Sequence, residues 1–201
     1  GELFNFISLG AAIAISGGRE AIAEELTVVR PDYFVAVPRL FNRIHAGVFA
    51  KMREAGGLKL KLFEAALAEA KKRRLTGKAS LRYRALDRMV LAKIRDRFGG
   101  RLVGSLSASA RLDPEVAQFF FDVGVPVYDC YGLTETSPAI AMNHPGACKL
   151  GTVGRPVRNV RVVIDTSKLD DDGSGDGEIV VYGPNVMLGY HGKPEIGRAH
   201  V

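Results

Sequence analysis

The sequence predicts an α/β fold, a parallel β-sheet flanked by helices that leads into a small β-rich part. Three observations carry this expectation. A strand–helix–strand run with short joins occupies about residues 101–132, the usual parallel unit of α/β folds. Helical periodicity dominates about 39–98 before it, and β texture takes over from about Gly151. The organisation read from this is an α/β segment over 1–150 with a long helical insert at about 39–98, then the start of a β-rich subdomain over 151–195.

Taken in order, "REAIAEELTVV" has apolar Ala21, Leu26 and Val29 and reads as a helix, and "FVAVP" reads as a short buried strand closed by Pro38. Three helical stretches follow, "RLFNRIHAGVFAKMRE", "LKLKLFEAALAEAKKRRL" and "SLRYRALDRMVLAKIRDRF", separated by Gly56-Gly57 and Thr76-Gly77. In the second, Leu60, Phe63, Leu67 and Ala70 form one apolar stripe. "RLVGSLSAS" is a strand running into small residues, and "DPEVAQFFFDVG" is a helix with Asp113 as N-cap, Pro114 in the first turn and Gly124 at the stop. "VPVYDCYG" is the next strand. "NVRVVID" and "EIVVYG" frame the acidic turn "DDDGSGDG", which lacks the ligand order and closing Glu of a calcium loop and reads as a solvated hairpin turn.

Composition narrows the class. At 47% hydrophobic and 25% charged, the chain has the make-up of a folded globular protein, and no apolar run reaches the roughly 18 residues of a membrane span. Cys130 and Cys148 fit neither a disulfide framework nor a zinc site, so reduced thiols and a cytoplasmic location are expected. The four histidines show no metal spacing. Charge is uneven: Arg39 to Arg101 holds 18 Lys/Arg against 5 Asp/Glu, a local +13, while the remainder holds 10 against 17, giving +6 overall. Such a block reads first as a solvated helical face, with an anionic membrane or a phosphorylated ligand as functional alternatives. Without interleaved aromatics or helix-turn-helix spacing, nucleic acid is not expected as a partner.

Ligand chemistry concentrates in "YDCYGLTETSP", Tyr128 to Pro138. In open α/β sheets ligands bind beyond the carboxyl ends of the strands, where both Ser107–Arg111 and Asp129–Glu135 are expected to fall. Tyr131 offers a ring face for a base, Gly132 a bare backbone, Thr134 a hydroxyl for a phosphate oxygen, and Glu135 a hard oxygen for magnesium. Spacing alone equally allows a tight turn with a capping threonine.

"YGLTET" resembles the Tyr-Gly-x-Thr-Glu motif of the adenylate-forming superfamily. "SASARL" is similar to its upstream Ser-Gly-Gly-Ala-Pro-Leu segment, "GPNVMLGYHGKPE" to its downstream Gly-Pro-Asn-Val-Met-x-Gly-Tyr motif, and "GTVGRPV" lies between them in the expected order. The resemblance covers about Gly1 to Glu195, and the long helical segment after "VAVP" looks like that of long-chain fatty acyl-CoA synthetases. It implies the large N-terminal domain of such enzymes. The implied reaction is ATP-dependent activation of a long-chain fatty acid to acyl-adenylate and then acyl-CoA, with ATP/AMP, Mg²⁺ and CoA as cofactor and co-substrates.

By motif position the resemblance places Tyr131 on adenine and Ser109, Ala110 and Arg111 on its other side. Asp129, Cys130, Gly132 and Leu133 join the nucleotide-binding stretch, Thr134 meets phosphate, and Glu135 holds the metal, with Thr134 and Glu135 as the catalytic pair. Ala108 stands where the family usually has glycine, and Arg111 where proline or alanine is usual. A catalytically dead relative binding nucleotide or lipid, or a ligase for a medium-chain or aryl acid, are the alternatives.

The family's phosphate loop, ribose-binding Asp, hinge and C-terminal lysine have no match here. The chain is therefore expected to be a central segment, inactive alone, with peripheral membrane contact as an expectation for its basic helices. Residues 196–201, "IGRAHV", match a translated sequencing adaptor and are read as a non-native tail.

Overall fold

The computed structural model describes residues 6–18, 20–167 and 176–193. The tail at 196–201 and most of the acidic turn lie outside the described residues. Two compact units divide the chain, one over Phe6–Tyr128 and one formed by Gly1–Asn5 with Asp129–Val201.

In the first unit, α1 (Ile22–Val29) precedes β1 (Tyr33–Ala36), which pairs in parallel with β2 (Gly104–Ser107) in the register Tyr33↔Gly104 to Ala36↔Ser107. Between them the chain makes α2 (Pro38–Ala55), α3 (Gly57–Thr76), α4 (Leu81–Leu86), a π-helical turn at Asp87–Leu91, and α5 (Ala92–Asp96). Pro38 is the first residue of α2 rather than the end of the strand, which suits its missing N–H and fixed φ. Tyr33 is exposed and the rest of β1 half-buried, so the expectation of a buried strand is corrected.

Helix α6 (Pro114–Val123) follows β2, with the Asp113 side chain accepting from the Glu115 N–H and Gly124 closing the helix in the left-handed region. The Ser105 N–H donates to Pro126 O at the approach to β3 (Val127–Gly132).

Aromatic side chains fill this unit's core. Phe41 meets Phe34 and Phe120 edge-on at 6.1 and 5.4 Å, and Phe49 packs on Phe63 and Phe119. On α3 the buried positions are Phe63, Ala66 and Ala70, with Leu60 and Leu67 at the half-buried margins of the stripe. His45 belongs to the aromatic cluster, against Phe49 and Phe119, and its burial lowers its pKa; it is a core histidine.

Ion pairs fasten the helices. Arg95 grips both oxygens of Asp87 at 2.7 and 2.8 Å and donates to Val123 O, while Arg74 bonds Asp122 at 2.6 Å. The Arg95 guanidinium holds the Asp87 carboxyl below its usual range. Bidentate pairs of this kind add geometric specificity as well as energy.

The second unit is β-rich. The end of β3 pairs antiparallel with β4 (Ala139–Met142), and β4 with β5 (Arg155–Pro156). Strands β6 (Arg161–Asp165) and β7 (Glu178–Tyr182) form an antiparallel hairpin in continuous register.

Candidate functional site

The strand ends fall where the sequence places them: β2 stops at Ser107 and β3 at Gly132. After β2, Ser109, Ala110 and Arg111 are exposed and Ala108 half-buried. Ser109 has φ 74°, in the left-handed region that glycine enters at no steric cost. It stands at the second glycine of the segment this loop resembles, a departure that the sequence reading passed over.

After β3 the loop is tightly made. Thr134–Thr136 form one 3₁₀ turn. The buried Thr136 hydroxyl accepts from the Leu133 N–H at 3.1 Å and lies 2.7 Å from Pro138 O, to which it donates. The Leu133 N–H also reaches Pro138 O at 2.9 Å. Thr136 is thus the capping threonine, and Thr134 stays exposed.

Gly132 has a structural requirement beside any ligand: a Cβ there would collide with the Pro138 carbonyl, at the register shift between Tyr131 and Gly132. Upstream, Asp129 is buried and Cys130 and Tyr131 are half-buried. Asn143, 2% exposed, receives the Lys149 N–H on its oxygen and donates to Thr152 O, while its own N–H bonds Asp129 O. Gly154 is needed beside it, since a Cβ would overlap the Met142–Asn143 peptide.

The segment Gly183–Tyr190 closes on the same loop. The Tyr190 hydroxyl donates to Glu135 Oε1, the Met187 N–H to Glu135 O at 2.8 Å, and Asn185 Nδ2 to Ala139 O at 2.9 Å. Glu135 is half-buried, and the Tyr190 hydrogen bond, the largest cause, lowers its carboxyl pKa; the same bond raises that of Tyr190. An ionised carboxylate is therefore held at the turn, anchored on one oxygen and by its own backbone. Two stretches that the sequence singled out separately make one structure within this unit.

The family model described as "AMP-binding enzyme" matches residues 1–191. The chain belongs to the AMP-binding enzyme family. A curated relative from Arabidopsis thaliana, "Long chain acyl-CoA synthetase 6, peroxisomal", is 36% identical over 94% of this chain and 28% of its own length. "Putative fatty-acid--CoA ligase fadD11" of Mycobacterium tuberculosis is 32% identical over 92% of the chain and 33% of its own length. The chain thus spans a third or less of these relatives. Among solved structures, a benzoate CoA ligase from Burkholderia xenovorans LB400 superposes with TM-score 0.59 at 22% identity, covering 94% of this chain and 31% of that one. A likeness at that identity establishes this AMP-binding family member's fold.

Within the family member, the structure places Tyr131, Gly132, Thr134 and Glu135 on one strand end and turn, and it adds Thr136, Asn143, Asn185 and Tyr190 as the residues that hold that turn and its surroundings. Tyr190 had a signal, the Gly-Tyr of the downstream motif. Asn185 stood in the Gly-Pro-Asn of the same motif and Thr136 in the turn read as open to a capping threonine, whereas Asn143 had no signal, because a lone Asn near a strand carries no periodicity. Among the described residues no three His, Cys, Asp or Glu side chains cluster as a metal cage. Magnesium does not need one: it takes one or two carboxylates and completes its shell with substrate phosphates and water. A single ionised Glu135 beside an exposed Thr134 fits that requirement.

Proposed function

We propose that this family member is part of an AMP-forming acyl-CoA ligase whose acid is a long-chain fatty acid. The observation that carries the reading is the fixed Glu135 carboxylate, held by Tyr190 and Met187 on the Tyr-Gly-Leu-Thr-Glu turn. The long-chain assignment is supported by the names of the relatives above 30% identity.

Two half-reactions follow. The fatty carboxylate attacks the α-phosphorus of ATP and pyrophosphate leaves; the CoA thiol then attacks the acyl carbon, its proton is lost, and AMP leaves. Tyr131 offers its ring face to adenine, with Asp129, Cys130, Gly132 and Leu133 supplying the rest of that strand end. For the other loop, Ser109, Ala110 and Arg111 are assigned backbone contact with the nucleotide, and Arg111 can stack its planar guanidinium on a base.

Thr134 donates its hydroxyl to a phosphate oxygen, and Glu135 would hold Mg²⁺. When bound, the metal neutralises phosphate charge as the α-phosphorus is attacked. No protein nucleophile is required, since the site works by positioning and fixed electrostatics. Holding Glu135 by its backbone and one oxygen serves this end, because a carboxylate already in place need not reorganise during the reaction.

The test is pyrophosphate release by the full-length protein with ATP, magnesium and carboxylic acids of graded length, with and without CoA. Release that peaks with long-chain acids and yields acyl-CoA supports the proposal. A preference for benzoate-like acids overturns the long-chain assignment, and no release with any acid overturns the ligase.

A further inference from the structure

We propose that the tip of the α3–α4 hairpin, residues 71–89, docks on the headgroup layer of an anionic lipid bilayer. Between Lys71 and Arg82 every residue except Arg74 is exposed. Lys71, Lys72, Lys78, Arg82, Arg84 and Arg88 all face solvent. The one acid in 71–89, Asp87, is half-buried and consumed by Arg95. Of the acids beside the segment, Asp122 is buried against Arg74 at 2.6 Å, and Glu69 is half-buried and accepts from Ser80 Oγ at 2.8 Å with Arg82 3.9 Å away. The net field of the tip is therefore strongly positive.

Apolar side chains stand among these cations. Leu75 and Leu81 are 69% and 82% exposed, one on each side of the turn that carries Lys78. Neither serves the core of its unit. In the same segment a cleft of about 230 Å³ is lined by residues that include Glu69, Lys72, Arg73, Thr76, Lys78 and Ser80. Three cations and two hydroxyls against the single Glu69 carboxylate leave the recess net positive, which suits a phosphate group, and the exposed leucines suit the acyl boundary just below.

This mixture separates a bilayer from other occupants. Single-stranded nucleic acid calls for exposed aromatic rings on which bases stack, but the segment's one aromatic, Tyr83, is buried with Arg73 over its ring at 5.0 Å. Covering the tip with another protein domain would strip water from six cations at heavy cost unless each met an acid. A membrane surface asks no such pairing: cations stay hydrated at the headgroups while the leucines enter the interface. No described helix is long and apolar enough to cross a membrane, so the contact is on the surface. The inference stands on charge and exposure and does not need the ligase reading.

The experiment is co-sedimentation of the full-length protein with phosphatidylcholine vesicles, with and without phosphatidylserine, at several salt concentrations. Wild type is expected to bind the phosphatidylserine vesicles and to release as salt rises. Each surface cation is worth about fivefold in partitioning, so Lys71→Glu/Lys72→Glu/Lys78→Glu together should lose at least about 100-fold. Leu75→Ser/Leu81→Ser should weaken binding while leaving its salt dependence. If the charge-reversed protein melts early, Lys→Gln at the same three positions replaces it. Equal partitioning of the charge variants and wild type, or indifference of wild type to phosphatidylserine, would each overturn the proposal.

Discussion

The loop after β2, residues 107–112, and the loop after β3, residues 132–138, both leave a strand at its carboxyl end, yet they are held differently. The second is fixed from within by Thr136 and from 55 residues away by Tyr190, whose hydroxyl reaches Glu135. The first exposes its three central residues, and among the described residues no distant side chain bonds Ser109, Ala110 or Arg111. The departures from the family's pattern, Ala108, Ser109 and Arg111, all fall in the loop whose middle is exposed between the buried Ser107 and Leu112. The locked loop keeps Tyr-Gly-x-Thr-Glu. Where the fold itself consumes a residue, as it does Gly132, substitution is blocked before any ligand is considered.

That contrast can be broken most severely at Gly132. Gly132→Ala drives a methyl into the Pro138 carbonyl, and since backbone cannot step aside as a side chain can, at least about 3 kcal/mol of stability should be lost, read by thermal denaturation. Thr136→Val comes next. It keeps the shape but deletes a buried hydroxyl that both accepts and donates, at about 1–2 kcal/mol. A loss under a few tenths would mean that the turn does not depend on this residue.

The smallest effect has the opposite sign and belongs to the exposed middle of the loop after β2. Ser109→Gly removes the steric cost of a left-handed non-glycine residue and should stabilise by about 1 kcal/mol. Destabilisation instead would show that the Ser109 side chain makes a contact that outweighs its strain.

How much of this was legible depends on the kind of force involved. Helix α6 was readable from end to end because Asp113, Pro114 and Gly124 act within a few residues of where they stand. The β6–β7 pairing followed from two short β runs around a turn. The π-helical turn at Asp87–Leu91 was not readable, since its apolar spacing passes for ordinary α-helix and the widened turn accompanies Tyr83 and Arg95 both closing on Asp87. In the candidate site, motif residues were visible, but the clamps were not. Asn185 and Tyr190 lie in the downstream motif, but they act across 46 and 55 residues through single hydrogen bonds, and the motif does not say which partners those bonds reach.

The clamp also sets a pH dependence. Because the Tyr190 hydrogen bond lowers the Glu135 pKa, what it contributes is present above about pH 4.5 and is lost as pH falls through the lowered value. Tyr190→Phe should move the Glu135 titration upward toward its ordinary range.

The most direct test of the locked loop as a metal–phosphate site is the magnesium dependence of pyrophosphate release by the full-length protein and its Glu135→Gln and Tyr190→Phe variants. The account predicts that Glu135→Gln loses at least about 100-fold in rate and needs more magnesium, while Tyr190→Phe, which only positions the carboxylate, loses about tenfold. A Glu135→Gln enzyme with the wild-type rate and the wild-type magnesium requirement would contradict it.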